Sequence, residues 1–342
     1  MKFSHITTLA FSALACAGLA QAQQAGGPEL IVHVQFDKAQ EILKVTSCTG
    51  DTFQFTDRRD GSQKAATPKD TKIFYIDTPK DLVEAEEAFR GNELAAARKQ
   101  LAAVKSKYAM YNALPGNPST KAALMELECA VRMQDWAAVR MLANSFPKFD
   151  LLKGEELALV EAARIAGMIT DDPGCAGTIS KAYKFLSEKK KEAFRNMPTD
   201  KYAWVCYARG RSLANGLGDS VPADKVDTMH EAVDLLCQCV MASRGKNPEL
   251  VEDALSRSID LLVAAPGVKE AMGKLRGNIT KKTWEEAPFD LRDAVAMAKI
   301  YRTVVAPKGK NKNADALCKL FYNATPDRSK GNKAEGENKP KK

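Results

Sequence analysis

The spacing of hydrophobic positions changes once along this chain, near residue 77. Before it, apolar residues alternate with polar ones; after it, they recur every three to four positions. Leu30–Phe36 is β-branched and aromatic, and residues 42–46 and Thr52–Thr56 follow. The turn-like run Ser47-Cys48-Thr49-Gly50-Asp51 separates the latter two, Asp60-Gly61 is a hairpin signal, and residues 73–76 close the set. This spacing predicts four strands in a small antiparallel sheet or partly closed barrel over residues 29–77.

From Thr78-Pro79 the period is helical, with Pro at a first helical position. Leu82, Val83, Ala85 and Phe89 mark one helix, broken at Gly91-Asn92. Leu94, Ala97, Leu101 and Val104 mark the next. A loop at residues 114–118 precedes a second pair, carried by Leu124, Leu127 and Met133, then by Trp136, Val139, Leu142 and Phe146. A shift of 42 residues aligns Glu93-Leu94-Ala95-Ala96-Ala97-Arg98 with Asp135-Trp136-Ala137-Ala138-Val139-Arg140, an internal repeat. Further helices are expected over residues 154–168, 178–195, 199–215, 222–243, 247–263, 291–305 and 314–322, with a weak pattern over 266–288. Trp204 and Tyr207 are expected to face inward.

Arg90-Gly91-Asn92-Glu93-Leu94-Ala95-Ala96-Ala97, with Leu101, Val104 and Pro115 downstream, resembles the tetratricopeptide repeat, as does Gln134-Asp135-Trp136-Ala137-Ala138-Val139. The family's aromatic position is Leu94 in the first unit, its Gly is Gln134 in the second, and the spacing of 42 residues exceeds the family's roughly 34. The resemblance covers residues 79–147 and extends beyond them by helix pairing. It implies a mainly α fold, an α-solenoid of paired antiparallel helices over residues 78–324, preceded by the small antiparallel β-module. The strand layout of that module resembles the small Sm-like barrels. In the repeat family the concave helix-A residues contact ligands, which here implies a partner-binding face of Glu86, Arg90, Lys121 and Glu128.

The chain has 342 residues, 45% of them hydrophobic and 27% charged, which excludes wholesale disorder. Its 51 Lys+Arg and 43 Asp+Glu give a net charge of +8. Residues 306–342 hold ten Lys/Arg and four Asp/Glu, or +6, whereas residues 23–305 hold 40 and 39, or +1. Residues 325–342 contain no large apolar side chain and read as a disordered Lys-rich tail.

Met1-Lys2-Phe3, the apolar run at residues 6–20 and Ala20-Gln21-Ala22 have the layout of a secretory signal peptide over residues 1–22. The expectation is an exported protein, periplasmic or extracellular, with acylation of Cys16 as a lipoprotein the alternative. Cys48, Cys129, Cys175, Cys206, Cys237, Cys239 and Cys318 remain, too sparse for a disulfide scaffold. Their odd number leaves one unpaired in a monomer, and Cys206, Cys237 and Cys239 could supply one bridge.

Candidate chemistry is sparse. No G-x-S-x-G elbow, phosphate loop, dinucleotide fingerprint or H-E-x-x-H occurs. His33 and His230 stand apart in sequence and read as structural or exposed. Cys237 and Cys239, two apart on a helix, point to different faces and make a poor zinc pair. The expectation is therefore no catalytic residue, no metal and no cofactor. Export and the body's +1 argue against nucleic acid. The leading reading is an exported, non-catalytic scaffold that binds another protein or a peptide. The alternatives are an envelope or surface anchoring module whose basic tail contacts anionic glycan, polymer or lipid, and a hydrolase whose Asp/Glu pair faces across a cleft.

Overall fold

The computed structural model describes residues 28–36, 39–50, 52–57, 60–68, 71–276, 279–307 and 309–322. The signal segment, Cys16 and the tail at residues 325–342 lie outside the described residues. The molecule is mainly helical, with fourteen α-helices among the described residues and one small antiparallel sheet near the N-terminus. It divides into two compact units: residues 1–129 with 147–151, and residues 130–146 with 152–342.

The first unit contains five strands rather than four: β1 (Leu30–Phe36), β2 (Ala39–Thr49), β3 (Thr52–Thr56), β4 (Gln63–Ala66) and β5 (Lys72–Ile76), ordered β4-β3-β2-β1-β5. Strand β4 escapes the hydrophobic pattern because it is an edge. Gln63, Lys64 and Ala65 are exposed, and a Lys there discourages further pairing. Strand β2 runs on through the expected turn: Ser47, Cys48 and Thr49 pair with β3, and the chain reverses at Gly50, whose φ is +60°. At the Asp60-Gly61 turn, the Asp60 carboxylate accepts the Ser62 amide at 2.9 Å and its hydroxyl at 2.6 Å.

Alternation buries Leu30, Val32, Val34, Leu43, Val45, Phe53 and Phe55 on one face of the sheet. That face shares a core with α1 (Lys80–Arg90), α2 (Leu94–Lys107) and the start of α3 (Pro118–Arg132), through Leu82, Ala85, Leu101, Val104 and Ala122. The sheet is thus built into the first helices. Tyr111, fully buried, ties the layers by donating its hydroxyl to the Pro28 carbonyl at 2.5 Å and standing 3.3 Å from that of Val45. His33 lies on the opposite face, 3.0 Å from the Asp77 carboxylate.

The two turns 42 residues apart have the same geometry. After α1, Asn92 takes φ +63°, Asn92 N–H donates to Phe89 O at 3.1 Å and Glu93 N–H to Ala88 O at 2.9 Å. After α3, Gln134 takes φ +55°, its N–H donates to Val131 O at 2.9 Å and Asp135 N–H to Ala130 O at 3.0 Å. Each is a Schellman-type stop with a non-glycine residue in the left-handed position. Asp135 adds a side-chain cap, accepting Ala138 N–H at 3.1 Å at the start of α4 (Trp136–Asn144).

The second unit continues with α5 (Gly154–Ala166), α6 (Cys175–Lys189), α7 (Lys191–Arg195), α8 (Thr199–Asn215), α9 (Val226–Ser243) and α10 (Pro248–Ala264). Then come α11 (Val268–Leu275), α12 (Lys281–Glu285), α13 (Phe289–Ile300) and α14 (Lys312–Tyr322). The helix expected over 178–195 is two: it breaks at Lys190, whose ammonium reaches the Glu161 carboxylate on α5. The weakly patterned 266–288 holds two short helices, α11 and α12.

Residues 203–208 of α8 are all buried, more than a full turn, so no face of that stretch meets water. Helices α5, α6, α9 and α10 pack around it. Trp204 and Tyr207 are both fully buried, as expected. The Trp204 indole donates to Asn247 Oδ1 at 3.1 Å, and Asn247 Nδ2 donates to Asp200 O at 3.1 Å, joining the starts of α8 and α10. Close approach needs small residues: a Cβ at Gly210 would lie 2.8 Å from Leu236 Cγ and 3.0 Å from Ala232 O on α9.

Two predictions follow from this packing. Trp204→Ala removes a filled core position and one bond to Asn247, and should cost about 3–5 kcal/mol in chemical denaturation. Burial raises the Tyr111 phenol from 10.0 to about 12. The folded state therefore holds its proton more tightly than the unfolded one, and this stabilisation, complete below about pH 10, is lost as pH rises through 12. Tyr111→Phe should flatten the fall in denaturation midpoint between pH 9 and 11.5 relative to the parent chain; an unchanged slope would count against the buried phenol.

Candidate functional site

Three of the four residues expected on the partner face converge. Glu86 on α1 sits between two cations, 2.9 Å from Arg90 Nη2 and 2.6 Å from Lys121 Nζ on α3. Its side chain is only 14% exposed, against 66% for Arg90 and 49% for Lys121. The carboxylate is therefore spent inside the protein, and what faces outward is one net positive charge. Glu128, two turns beyond Lys121 on α3, is half-buried and does not join this cluster. The geometry is that of a self-satisfied ion triad more than of a recess awaiting a partner.

A recessed site lies in the second unit, over α10. Glu252, Ser256 and Asp260 recur every four residues and so share one face of that helix. With the end of α8, Lys269, Tyr301 and residues 310–313, they enclose a cleft of about 800 Å³. Asn311 pins the wall opposite α10: its Nδ2 donates to Ser256 Oγ at 2.7 Å and Asp260 Oδ1 at 2.9 Å, while its Oδ1 accepts the Ala314 amide at 2.7 Å and caps α14. Asn313 also donates to Asp260, at 2.9 Å.

Tyr301 opens a π-helical turn, Tyr301–Val305, that ends α13. It is buried, and its hydroxyl is 3.4 Å from Glu252 Oε1. Burial, then the Glu252 charge, pushes that phenol up, so it remains a donor at neutral pH. Gly309 lies so close that any Cβ there would overlap the Tyr301 ring. Arg302 donates to Gly309 O at 2.6 Å and pairs with Asp315 at 3.1 Å, holding the same loop from behind.

Arg257 connects the cleft to the interior. Its Nε lies 2.5 Å from Asp253 Oδ2, which accepts the Tyr207 hydroxyl at 2.6 Å, and Arg211 donates to that hydroxyl at 3.1 Å. Tyr207 stacks on Trp136 with ring centroids 5.6 Å apart. Burial, with the Asp253 charge second, pushes this phenol up as well. The network fixes the α10 wall and leaves its carboxylates occupied by donors.

A second cleft of about 830 Å³ lies between α11 and α14 and shares Lys269 and Lys312 with the first. Lys269 and Arg276 stand on one wall, Lys312 and Lys319 on the other, with Met272, Ile279 and Leu320 among its apolar lining. All four cationic side chains are exposed, and among the described residues none of them forms an ion pair. Asp315, the acid in this lining, is held by Arg302.

These cations were hidden by charge bookkeeping. Of the +6 carried by residues 306–342, Lys308, Lys310, Lys312 and Lys319 against Asp315 place +3 in residues 306–322, and Lys312 and Lys319 belong to helix α14. The available signal was the seven-residue spacing of Lys312 with Lys319, which puts that pair on one face of α14.

Among the described residues no group of three or more His, Cys, Asp or Glu could hold a metal ion. His230 bonds Asp290 at 2.9 Å and is exposed. Among the described residues Cys206, Cys237 and Cys239 form no disulfide, so the bridge suggested for that trio is not formed. Burial pushes the Cys239 thiol up to about 12, which keeps it unreactive.

Asn311 supplies the sharpest test of the cleft wall. Asn311→Ala removes a helix cap and the bonds to Ser256 and Asp260, and should cost about 1–3 kcal/mol. Hydrogen exchange should speed up first in Lys312–Tyr322, with Thr199–Asn215 unchanged; uniform acceleration would contradict a local role.

No family model matches this chain, and no curated protein or solved structure matches it.

Proposed function

We propose that this chain is an exported, non-catalytic helical-repeat scaffold that binds a peptide or an extended segment of another protein. The observation that carries the reading is the pair of adjoining clefts over α10, α11 and α14, whose walls are held rigid by Asn311, Arg302 and the Asp253–Arg257 pair while their lysines stay unpaired. A site that fixes its own carboxylates and offers flexible cations suits recognition better than proton transfer, which needs a positioned acid or base free to act.

The repeat architecture is part of the same proposal. The matching stops at Asn92 and Gln134 support a tetratricopeptide-like unit of helix, tight turn and helix. Contacts of α5 with α8, and of α10 with both α9 and α13, support stacking of successive units, as in an α-solenoid. The Sm-like layout of the sheet is kept as a resemblance in strand arrangement. Export rests on the signal-like N-terminus. Among the described residues no helix is long and apolar enough to cross a membrane.

A photo-cross-linking amino acid at Lys310, inside the cleft, should give one reproducible adduct with a polypeptide in an envelope extract. The same probe at Lys80, 91% exposed in the other unit, should not. Equal labelling from both positions, or none from Lys310, would sink the proposal.

A further inference from the structure

We infer that the trough between α11 and α14 is a binding site for an acidic peptide in extended form, with apolar residues between its carboxylates. The inference rests on the scaffold reading and names the chemistry of its partner. Lys269 lies in the first turn of α11 and Arg276 just past its end, while Lys312 and Lys319 are seven residues apart on α14, a helical rise of about 10.5 Å, so each wall carries two positive charges. An extended segment of the polyproline-II type has about three residues per turn and rises about 3.1 Å per residue, so carboxylates three positions apart share one face about 9.3 Å apart, comparable to that rise along α14.

Three features favour a peptide over a bare polyanion. Met272, Ile279 and Leu320 line the trough between the cations, and a phosphate chain has nothing to place against them. Asp315, although neutralised by Arg302, is a carboxylate in the lining and disfavours a dense run of anionic groups. The groups shared with the neighbouring cleft, Lys269 and Lys312, continue the path towards Lys310 and Asn313, whose amide can bond a peptide backbone. None of the four trough cations has a competing partner among the described residues. By contrast, Lys274, one turn beyond Glu270 on α11, is held by it at 2.7 Å. Release of ordered water and of the cations' counter-charge then favours an incoming carboxylate, most strongly at low salt.

The test uses the full chain and a fluorescein-labelled twelve-residue peptide, four repeats of Glu-Leu-Ser, read by anisotropy at 50 mM salt. Binding should weaken at least tenfold in the Lys312→Glu, Lys319→Glu double variant, and similarly in Lys269→Glu, Arg276→Glu on the opposite wall. Lys274→Glu, which breaks an exposed pair outside the trough, should leave affinity within twofold, and the Gln-Leu-Ser peptide should bind at least tenfold more weakly than the acidic one. All variants alter exposed side chains, and an unchanged melting temperature certifies their folding. Unaltered affinity in both double variants, or inorganic polyphosphate binding while the acidic peptide does not, would overturn the inference. Cross-linking from Lys310 that survives those same double variants would overturn this inference and leave the scaffold reading standing.

Discussion

Burial of residues 203–208 of α8 on every side is the constraint on which the second unit depends. A helix with water on one face can tolerate polar substitutions there; residues 203–208 have no such face. Every neighbour must therefore present small or apolar groups, and the unit meets this with Gly210 against α9 and with alanines along α5. Among the polar groups that remain inside, Trp204 pairs with Asn247 and Tyr207 with Asp253, and both pairs connect α8 to α10. With α10 held this way, the adjoining stripe of Glu252, Ser256 and Asp260 lines the cleft.

Much of this was legible in the residues. The switch from period two to period 3.6 near residue 77, the stop at Gly91-Asn92, the 42-residue shift and the inward Trp204 all came from local pattern, and local pattern governs turns and amphipathic faces. The misses have physical reasons. Strand β4 is polar because it is an edge, so no alternation marks it. Helices α11 and α12 have eight and five residues, too few turns for a period to emerge. The π turn at Tyr301 lies against Gly309, a contact across eight residues that no helical template contains.

The site shows a different limit. Glu86, Arg90 and Lys121 lie together but are paired with one another, which a list of charged residues cannot reveal. The trough cations were invisible because net charge averages over space: a body near +1 and a basic tail conceal that Lys312 and Lys319 belong to a packed helix and face Lys269 and Arg276. Charge matters for binding where opposite charge is missing locally, and that depends on which carboxylates the fold has already used. Here Asp253, Asp260 and Asp315 are engaged by Arg257, by Asn311 and Asn313, and by Arg302, so the lysines beside them stay open.

The proposed recognition on the α11–α14 side of the second unit is tested most directly by hydrogen exchange along the full chain with and without saturating Glu-Leu-Ser peptide. Added protection should be confined to Val268–Leu275, Lys312–Tyr322 and the loop at residues 309–311 between α13 and α14. Protection centred instead on Lys80–Arg90 and Pro118–Arg132, around Glu86 and Lys121, would contradict the proposal.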